Sequence, residues 1–279
     1  MRVGLITADP GHPLLAAATA LLTAPGAGHR VEVLDPATAS APADPADVYL
    51  LKARTPRALA LARGVEAAGA RVVNSAAATR RCQDRTAMAE DALRAGLPFA
   101  PTRTYASAAD LAASPPVGPV VVKSRHSRKG DVVVRLEGAA RIRDFAASAP
   151  YEPVVVQDFV PNPGWDHKLW AIGPQVFAAL RRSELAAAAP GGGPVPLADL
   201  PPAWPALVRR VGQVFGLHVY GVDVIDTGGG HPLIVDVNAF PGVRNQPGAP
   251  EALADLVSGL VSGLAEGVHR SPDRARLPE

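Results

Sequence analysis

Two aspartates and an asparagine near the C-terminal end of the chain have the residue types and the spacing of a divalent-cation site. Asp223 lies in the run GVDVID, and Asp236 and Asn238 lie in LIVDVN, with the turn sequence GGGH between the runs. Both runs predict strands of one hairpin, and since side chains two positions apart point the same way, Asp236 and Asn238 share a face. Two carboxylates and an amide oxygen suit Mg²⁺ bound to nucleotide phosphates. The alternative is that Asp223 and Asp236 are only polar residues close to a turn. Their carboxylates would then be buried in apolar runs without a cation, which costs free energy.

Positive charge is concentrated where it could meet phosphate. Arginine supplies most of the basic residues, and the chain has only four lysines, Lys52, Lys123, Lys129 and Lys168. The ammonium group of lysine binds phosphate as a compact point charge. The basic run RHSRK at residues 125–129 suits a phosphate-bearing small molecule, with a solvated run of surface charge as the alternative. Arg244 and Asn245 follow the predicted metal strand in a loop that would turn toward the same cleft. A contact with substrate and a role outside the site are equal alternatives for these two residues.

The elements that must position these residues follow two patterns. Over residues 1–80, short apolar runs alternate with Ala- and Leu-rich helical segments, which predicts a small parallel α/β unit. A helix is predicted over residues 83–95, because Gly96 and Pro98 follow it. Beyond it, runs such as PVVVKSR, DVVVRLE and PVVVQDFV are separated by short turns and one helix at residues 139–148, which predicts an antiparallel α+β unit.

The last third of the chain carries a loop and the predicted metal hairpin. The segment AAAAPGGGPVPLADLPP, residues 186–202, predicts a flexible, lid-like loop because it is rich in Gly and Pro. A helix that ends at Phe215 follows, then the strand pair with the metal residues, and then a closing helix over residues 250–266.

The composition narrows the class of protein. With 279 residues, 48% of them hydrophobic, the chain can form two or three packed lobes. No apolar run reaches the roughly 18 residues that cross a membrane, and the N-terminus lacks a signal-peptide pattern, so we expect a cytoplasmic protein without membrane contact. The single cysteine, Cys82, excludes an internal disulfide and is expected to be inert packing. A net charge of +2 with 5% aromatic residues does not suit nucleic-acid binding.

Taken in order along the chain, the motifs resemble those of the ATP-grasp superfamily, and of its RimK-like branch in particular. GVDVID with LIVDVNAFPG is similar to the C-terminal signature of that family. VVVKSRHSRKGD resembles its phosphate-covering strand and loop, and VVVQDFVPNPGWDHKLWAIGPQVFAALRRS resembles its hinge and the hairpin that follows. The ordered series spans about residues 70–260 and is more specific than any single piece.

The resemblance implies an ATP-grasp fold of mixed α/β and α+β class, in which an N-terminal parallel α/β pre-ATP-grasp domain precedes two α+β lobes that clasp ATP. We predict the N-terminal domain at residues 1–80, the central lobe at 81–155 and the C-terminal lobe with the metal site at 156–279. It also implies ATP and Mg²⁺ as cofactors, with Mn²⁺ as a substitute, and is compatible with a homo-oligomer.

The resemblance assigns roles to individual residues. The nucleotide contacts that it implies are Arg85, Lys123, Lys129, the hinge residues Gln157, Asp158, Phe159 and Val160, and Asp166. Contacts with phosphate or with the activated substrate are implied for Lys168 and for Arg181 or Arg182. Asp223, Asp236 and Asn238 match the metal ligands. Arg85 stands where many relatives have a lysine.

Two departures from the family pattern leave the acceptor open. The phosphate-covering loop is usually rich in glycine, whereas here it contains only Gly130, so side-chain cations replace part of the backbone cradle or reach an anionic acceptor. Many ligases of this fold have glutamate where this chain has Asp236, and D-x-N followed by FPG also resembles inositol-trisphosphate 5/6-kinases.

The leading hypothesis is an ADP-forming carboxylate–amine ligase whose substrates include an amino acid or a peptide, because ligases predominate among proteins of this fold. The alternatives are a kinase that acts on a polyol hydroxyl and a nucleotide-binding module without catalysis.

Overall fold

The computed structural model describes residues 1–128, 130–161, 164–183, 185 and 192–268, with side chains described up to residue 260 in the last range. These residues form three β-sheets with helices packed against them. Within the described ranges we find no helix with the length and apolar character of a membrane span.

The N-terminal sheet is parallel, with the strand order β2-β1-β3-β4. Its elements in chain order are β1 (Arg2–Ile6), α1 (Pro13–Leu22), β2 (Arg30–Leu34), β3 (Val48–Leu51), α2 (Pro56–Ala67) and β4 (Arg71–Val73). Val3 and Leu50 pack on the face that α1 covers, whereas Ile6, Tyr49 and Leu51 pack on the face that α2 covers. Because both faces are covered, β3 and the part of β1 that follows Arg2 lack charged residues.

The central sheet is antiparallel, with the strand order β5-β8-β6-β7. Two short helices lead from the first sheet to this one, α3 (Ala76–Arg81) and α4 (Arg85–Arg94). The sheet and its helices are β5 (Thr102–Tyr105), α5 (Ala108–Ala113), β6 (Val120–Ser124), β7 (Val133–Leu136), α6 (Gly138–Ser148) and β8 (Val154–Asp158). Leu111 of α5 and Ile142 of α6 are fully buried against Val120, Val122 and Val156, which leaves the opposite face of the sheet for other contacts.

The C-terminal sheet has five strands in the order β11-β10-β9-β12-β13. Its elements are β9 (Trp165–Ile172), β10 (Gln175–Arg182), β11 (Gly192–Pro194), a 3₁₀ turn (Leu197–Asp199), α7 (Trp204–Phe215), β12 (Val219–Asp226), β13 (Pro232–Ala239) and α8 (Ala249–Val268). Trp204 and Val211 of α7 are fully buried against Val222 and Val224 of β12. Strand periodicity therefore turns Asp223 to the opposite face.

Most of the predicted elements are confirmed, including the parallel first unit, the antiparallel strands and the closing hairpin and helix. The predicted helix at 83–95 is confirmed as α4, but α3 and α5 were not predicted. The predicted loop at 186–202 is partly wrong, since β11 pairs with β10 there; residues 186–191 lie outside the described residues. The domain boundaries stay predictions, and β8 spans the one placed between residues 155 and 156.

Asn74 joins the N-terminal sheet to the C-terminal sheet. Its side chain is fully buried, and its Oδ1 accepts hydrogen bonds from the backbone amides of His218 and Val219 at 2.7 and 3.1 Å. Its Nδ2 donates to the carbonyl of Val219 at 2.6 Å. One amide side chain thus satisfies three backbone groups at the start of β12, the strand that carries Asp223.

We expect Asn74→Leu to destabilise the protein by about 3 kcal/mol, because it removes the acceptor of the backbone amides of His218 and Val219, whereas the carbonyl of Val219 keeps a bond from the amide of Phe240. Urea-induced unfolding measures the change. Gln175→Leu, at an exposed amide, is the matched control and should leave the free energy of unfolding unchanged. Equal stability of the two variants would show that Asn74 does not hold the sheets together.

Candidate active site

A row of charged side chains crosses the face of the C-terminal sheet that lies opposite α7. The strand register places Lys168 of β9 beside Asp223 of β12, and Asp223 beside Asp236 of β13. Asn238 lies one level further along, opposite Gly221. We call Lys168, Asp223 and Asp236 the charged row. Adjacent strands lie about 5 Å apart, so neighbouring members of the row can interact directly. Lys168 Nζ donates a hydrogen bond to Asp223 Oδ2 at 2.5 Å.

The carboxylate oxygens of the row fit a divalent cation. Asp223 Oδ1 is buried and has no hydrogen-bond partner among the described residues. Among the described residues, Asp236 Oδ1 accepts only from the neighbouring amide of Val237, at 3.0 Å. Within the described part of the chain, no three His, Cys, Asp or Glu side chains gather into a metal site. The candidate set instead combines two carboxylates with the amide of Asn238, which is a hard-oxygen set.

Two buried cations balance this negative charge. Arg85 donates to Asp131 at 2.6 Å, to Asp236 at 3.1 Å and to the carbonyl of Ser124 at 2.8 Å. Lys123 is 5% exposed, and its Nζ donates to the carbonyl of Val235 at 2.7 Å. Burial by itself would raise the pKa of Asp236, but Arg85 and Lys123 together hold it below its ordinary value. Burial lowers the pKa of Lys123, and Asp236 opposes that shift.

A cavity of about 260 Å³ lies between the central and C-terminal sheets. Its floor is the charged row with Asn238, and its opposite wall is formed by Lys123 and Val121 of β6 and by Val133 of β7. The predicted hinge, residues 157–160, closes one end, and Arg85, Asp131 and Asp166 also line the cavity. We call this the smaller cavity.

The predicted hinge uses part of its hydrogen-bonding capacity within the protein. Gln157 Nε2 donates to Thr102 Oγ1 at 3.1 Å. Asp158 is exposed and pairs with Arg103 at 2.6 Å, and the amide of Phe159 donates to the carbonyl of Pro119 at 3.0 Å. The adenine contacts predicted for this segment would therefore come from its other backbone groups.

A larger cavity, of about 1030 Å³, adjoins the smaller one and reaches the N-terminal sheet. Residues of the C-terminal sheet, of the loop after β13 and of the segment after β3 line it, and they include Arg244, Lys52 and Arg54. The residues that line both cavities are Arg54, Ser127, Arg128, Lys168, Arg181, Asp223 and Asn238. The two cavities thus meet at the charged row.

The structure separates two predicted site residues that the sequence could not distinguish. Arg181 lines both cavities, whereas Arg182 lines neither and packs its guanidinium over the Trp165 ring, 5.4 Å from the ring centroid. Asp166 lines the smaller cavity, and burial raises its pKa. Lys129 lies outside the described residues.

Sequence reasoning missed Lys52, Arg54 and Asp131. Lys52 and Arg54 follow β3, and ligands of parallel sheets bind beyond the carboxyl ends of the strands where the strand order reverses. That reversal lies between β1 and β3 in the order β2-β1-β3-β4, so the predicted strands alone could have indicated both residues. Asp131 is 46 residues from its partner Arg85, and no sequence spacing indicates such a pair.

Comparisons with known proteins place this arrangement in a family. The model of the RimK-like ATP-grasp domain matches residues 103–248, which is more than half of the 279 residues. The chain belongs to the RimK-like ATP-grasp family. A probable alpha-L-glutamate ligase 2 of Hahella chejuensis is 28% identical over 232 residues, or 78% of this chain and 74% of that protein.

Solved structures agree with the family assignment. A RimK domain ATP-grasp protein from Sphaerobacter thermophilus is 26% identical with a TM-score of 0.73, and the match covers 94% of this chain and all of that one. D-alanine–D-alanine ligase from Bacillus anthracis shares the fold at 12% identity and a TM-score of 0.70, over 97% of this chain and 99% of that one.

The family assignment confirms the prediction of an ATP-grasp carboxylate–amine ligase that forms ADP. Enzymes of this kind use ATP with a divalent metal ion and act on small carboxylate and amine or peptide substrates. The comparisons give no support to the kinase alternative.

Arg85→Met should destabilise the nucleotide-free protein by about 3 kcal/mol, because it removes the guanidinium that pairs with the largely buried carboxylates of Asp131 and Asp236. Chemical unfolding at neutral pH with a metal chelator measures this change. Addition of Asp131→Leu to the same variant should recover part of the loss. Arg143→Met, on the exposed face of α6, is the control. An Arg85→Met protein as stable as the control would contradict the proposed charge balance.

Proposed function

We propose that this protein activates a substrate carboxylate with Mg-ATP and joins it to an amine through an amide bond. The observation that supports this most strongly is the meeting of the two cavities at the charged row. The smaller cavity joins the predicted hinge to the candidate metal ligands, as a nucleotide site requires. The larger cavity has room for two further reactants on the other side of the same residues.

When bound, Mg-ATP supplies the phosphoryl group that converts the substrate carboxylate to an acylphosphate. The amine then attacks the acyl carbon, the C–N bond forms as the C–O bond to phosphate breaks, and inorganic phosphate and a proton are released. Lys168 and Arg181 line both cavities, so we assign them the stabilisation of negative charge that develops during the transfer. Lys123 and Arg85 lie on the nucleotide side and would neutralise the phosphates. Preorganised cations in a buried site need little reorganisation during the reaction, which lowers its barrier.

We assign the metal to Asp223, Asp236 and Asn238, with Mg²⁺ as the expected ion and Mn²⁺ as a substitute. Asp223 Oδ1 is buried and has no hydrogen-bond partner within the described ranges, which supports this assignment. Lys168 and Arg85 also contact the two carboxylates, so binding of the ion would redistribute those contacts. The roles predicted from the sequence for the other site residues, and the three predicted domains, belong to the same proposal.

We propose an amino acid or a peptide as one substrate, and the glutamate-ligase name of the Hahella chejuensis relative supports this choice. A cytoplasmic location is part of the proposal, because ATP is a substrate and the single cysteine is unpaired. A homo-oligomer stays a prediction.

The proposal predicts release of ADP and inorganic phosphate in equal amounts when the protein meets Mg-ATP with pooled amino acids and peptides. Mass spectrometry should find a product that contains an amide bond, and its formation should require the amine. A product heavier by a phosphoryl group, without free phosphate, would replace the ligase with the kinase.

Asp236→Ala should lower turnover by at least about 100-fold, because it removes one charged ligand from the metal site. Mn²⁺ binding in the presence of ADP, followed by electron paramagnetic resonance, should weaken in parallel. Asp144→Ala, which removes an exposed carboxylate of α6, should change neither quantity. Unaltered Mn²⁺ binding by a folded Asp236→Ala protein would refute the metal assignment.

A further inference from the structure

The amine substrate of a carboxylate–amine ligase must lose a proton before it can react. At neutral pH an aliphatic amine is mostly an ammonium ion, whose nitrogen has no electron pair with which to attack the acyl carbon. The group that accepts this proton must lie on the substrate side of the charged row, and it must be neutral in part of the protein molecules at the working pH. The larger cavity is the place for such a group.

Four titratable side chains other than arginine line the larger cavity among the described residues: Lys52, His126, Lys168 and Asp223. Arginine stays protonated and cannot accept a proton. Lys168 and Asp223 pair with each other and also line the smaller cavity. His126 is exposed and follows β6 in the predicted phosphate-covering loop. Lys52 is partly buried and lines the larger cavity but not the smaller one, so it has no task on the nucleotide side.

Lys52 lies at the end of the larger cavity that is close to the candidate metal ligands. Its Nζ donates to the carbonyl of Phe240 at 3.2 Å and lies 5.5 Å from the centroid of the Phe240 ring. Phe240 is the second residue after Asn238, and two residues of chain span at most about 7 Å. The Lys52 nitrogen is therefore held close to the end where the activated carboxylate would form.

The charges around Lys52 favour its neutral amine. Burial, with Arg54 and Arg244 acting in the same direction and Asp9 against them, lowers the pKa of Lys52 to about 8. His12 is the remaining titratable neighbour, and its own pKa is lowered by burial and by Lys52. No carboxylate forms an ion pair with Lys52 within the described part of the chain. A lysine without a counter-charge in a partly desolvated site is suited to proton transfer.

We propose that Lys52 is the general base that takes a proton from the amine substrate. The Lys52 nitrogen forms an N–H bond as an N–H bond of the substrate ammonium breaks, which leaves an electron pair on the substrate nitrogen. That pair attacks the acyl carbon, the C–O bond to phosphate breaks, and a second proton of the substrate nitrogen leaves with the phosphate. Lys52 then returns its proton to water. This inference rests on the proposed function, which supplies the acylphosphate.

A structural role is the main competing explanation for Lys52. Phe240 has a positive φ of 45°, which is uncommon for an aromatic residue, and the hydrogen bond from Lys52 to its carbonyl could serve only to hold that conformation. Such a tether needs a cationic donor and no proton transfer. Lys52→Arg keeps the charge and the donor but cannot accept a proton, whereas Lys52→Met loses all three properties. The pair of variants separates the two explanations.

The ionisation of Lys52 can be measured without any substrate. Trace acetylation of the full-length protein with acetic anhydride, mapped by mass spectrometry, follows the neutral fraction of each lysine. The reactivity of Lys52 should rise with pH through a midpoint near its pKa of about 8. Arg244→Gln should move this midpoint upward, because it removes a neighbouring cation. A midpoint equal to that of an ordinary exposed lysine would overturn the proposal.

Competition between two nucleophiles tests the catalytic role. Hydroxylamine is neutral at pH 7 and traps an activated carboxylate as a hydroxamate without a base, whereas an amino-acid amine must first lose a proton. With Mg-ATP and pooled amino acids and peptides, Lys52→Met and Lys52→Arg should each lower amide formation at least about 100-fold more than hydroxamate formation, which is the effect of losing a general base. Arg143→Met, at an exposed position of α6, is the control.

Three results of this competition would overturn the role of Lys52: equal losses with both nucleophiles, an Lys52→Arg protein that forms the amide at the wild-type rate, or an amine-specific loss in His126→Gln and not in Lys52→Met. A wild type that forms neither hydroxamate nor amide with any carboxylate would refute the proposed function, and the role of Lys52 with it. Hydroxamate formation in the wild type thus distinguishes a failure of the base from a failure of the ligase.

Discussion

The burial of two carboxylates at one level of a sheet is the constraint on which the rest of the site depends. Asp223 and Asp236 face each other across β12 and β13, and the side chain of each is largely buried. Lys168 pairs with the first and Arg85 with the second, so each carboxylate has a cation as its partner. Removal of any one member would leave an uncompensated charge, and for this reason we regard the metal ligands and their cations as one unit.

The architecture follows from the need to present this unit to two reactants. Alternation along β12 gives α7 an apolar face to cover, because Val222 and Val224 point away from Asp223. The central sheet brings Lys123 over the charged row from the other side, through a hydrogen bond to the carbonyl of Val235. The N-terminal sheet closes the larger cavity, and Asn74 and Lys52 connect it to β12 and to the loop after β13.

The features that could be predicted from sequence are those with local signals. The alternation of apolar strands and helices in the first 80 residues, and the hairpin that carries Asp223 and Asp236, have periodicities that a sequence displays directly. The short helices α3 and α5 have six residues each, too few for a clear helical period. β11 is a strand only because β10 offers it an edge, which is a tertiary effect.

The same distinction applies to the site. The face of a strand follows from its periodicity, but the choice between Arg181 and Arg182 needed the register of β10 with β9, which only the fold supplies. The pairing of Arg85 with Asp131, and the approach of Lys52 to Phe240 over 188 positions of sequence, likewise depend on long-range packing. Local patterns thus indicated the metal and the nucleotide, and tertiary structure was needed for the substrate side.

The central claim is that the residues around the charged row activate a carboxylate by transferring a phosphoryl group to it. Transfer of oxygen-18 tests this most directly. With a substrate labelled in its carboxylate oxygens, attack on ATP and later displacement by the amine must move one labelled oxygen to the released phosphate for each amide bond formed. Labelled phosphate at that ratio is the result we predict, whereas amide formation with unlabelled phosphate would contradict the account.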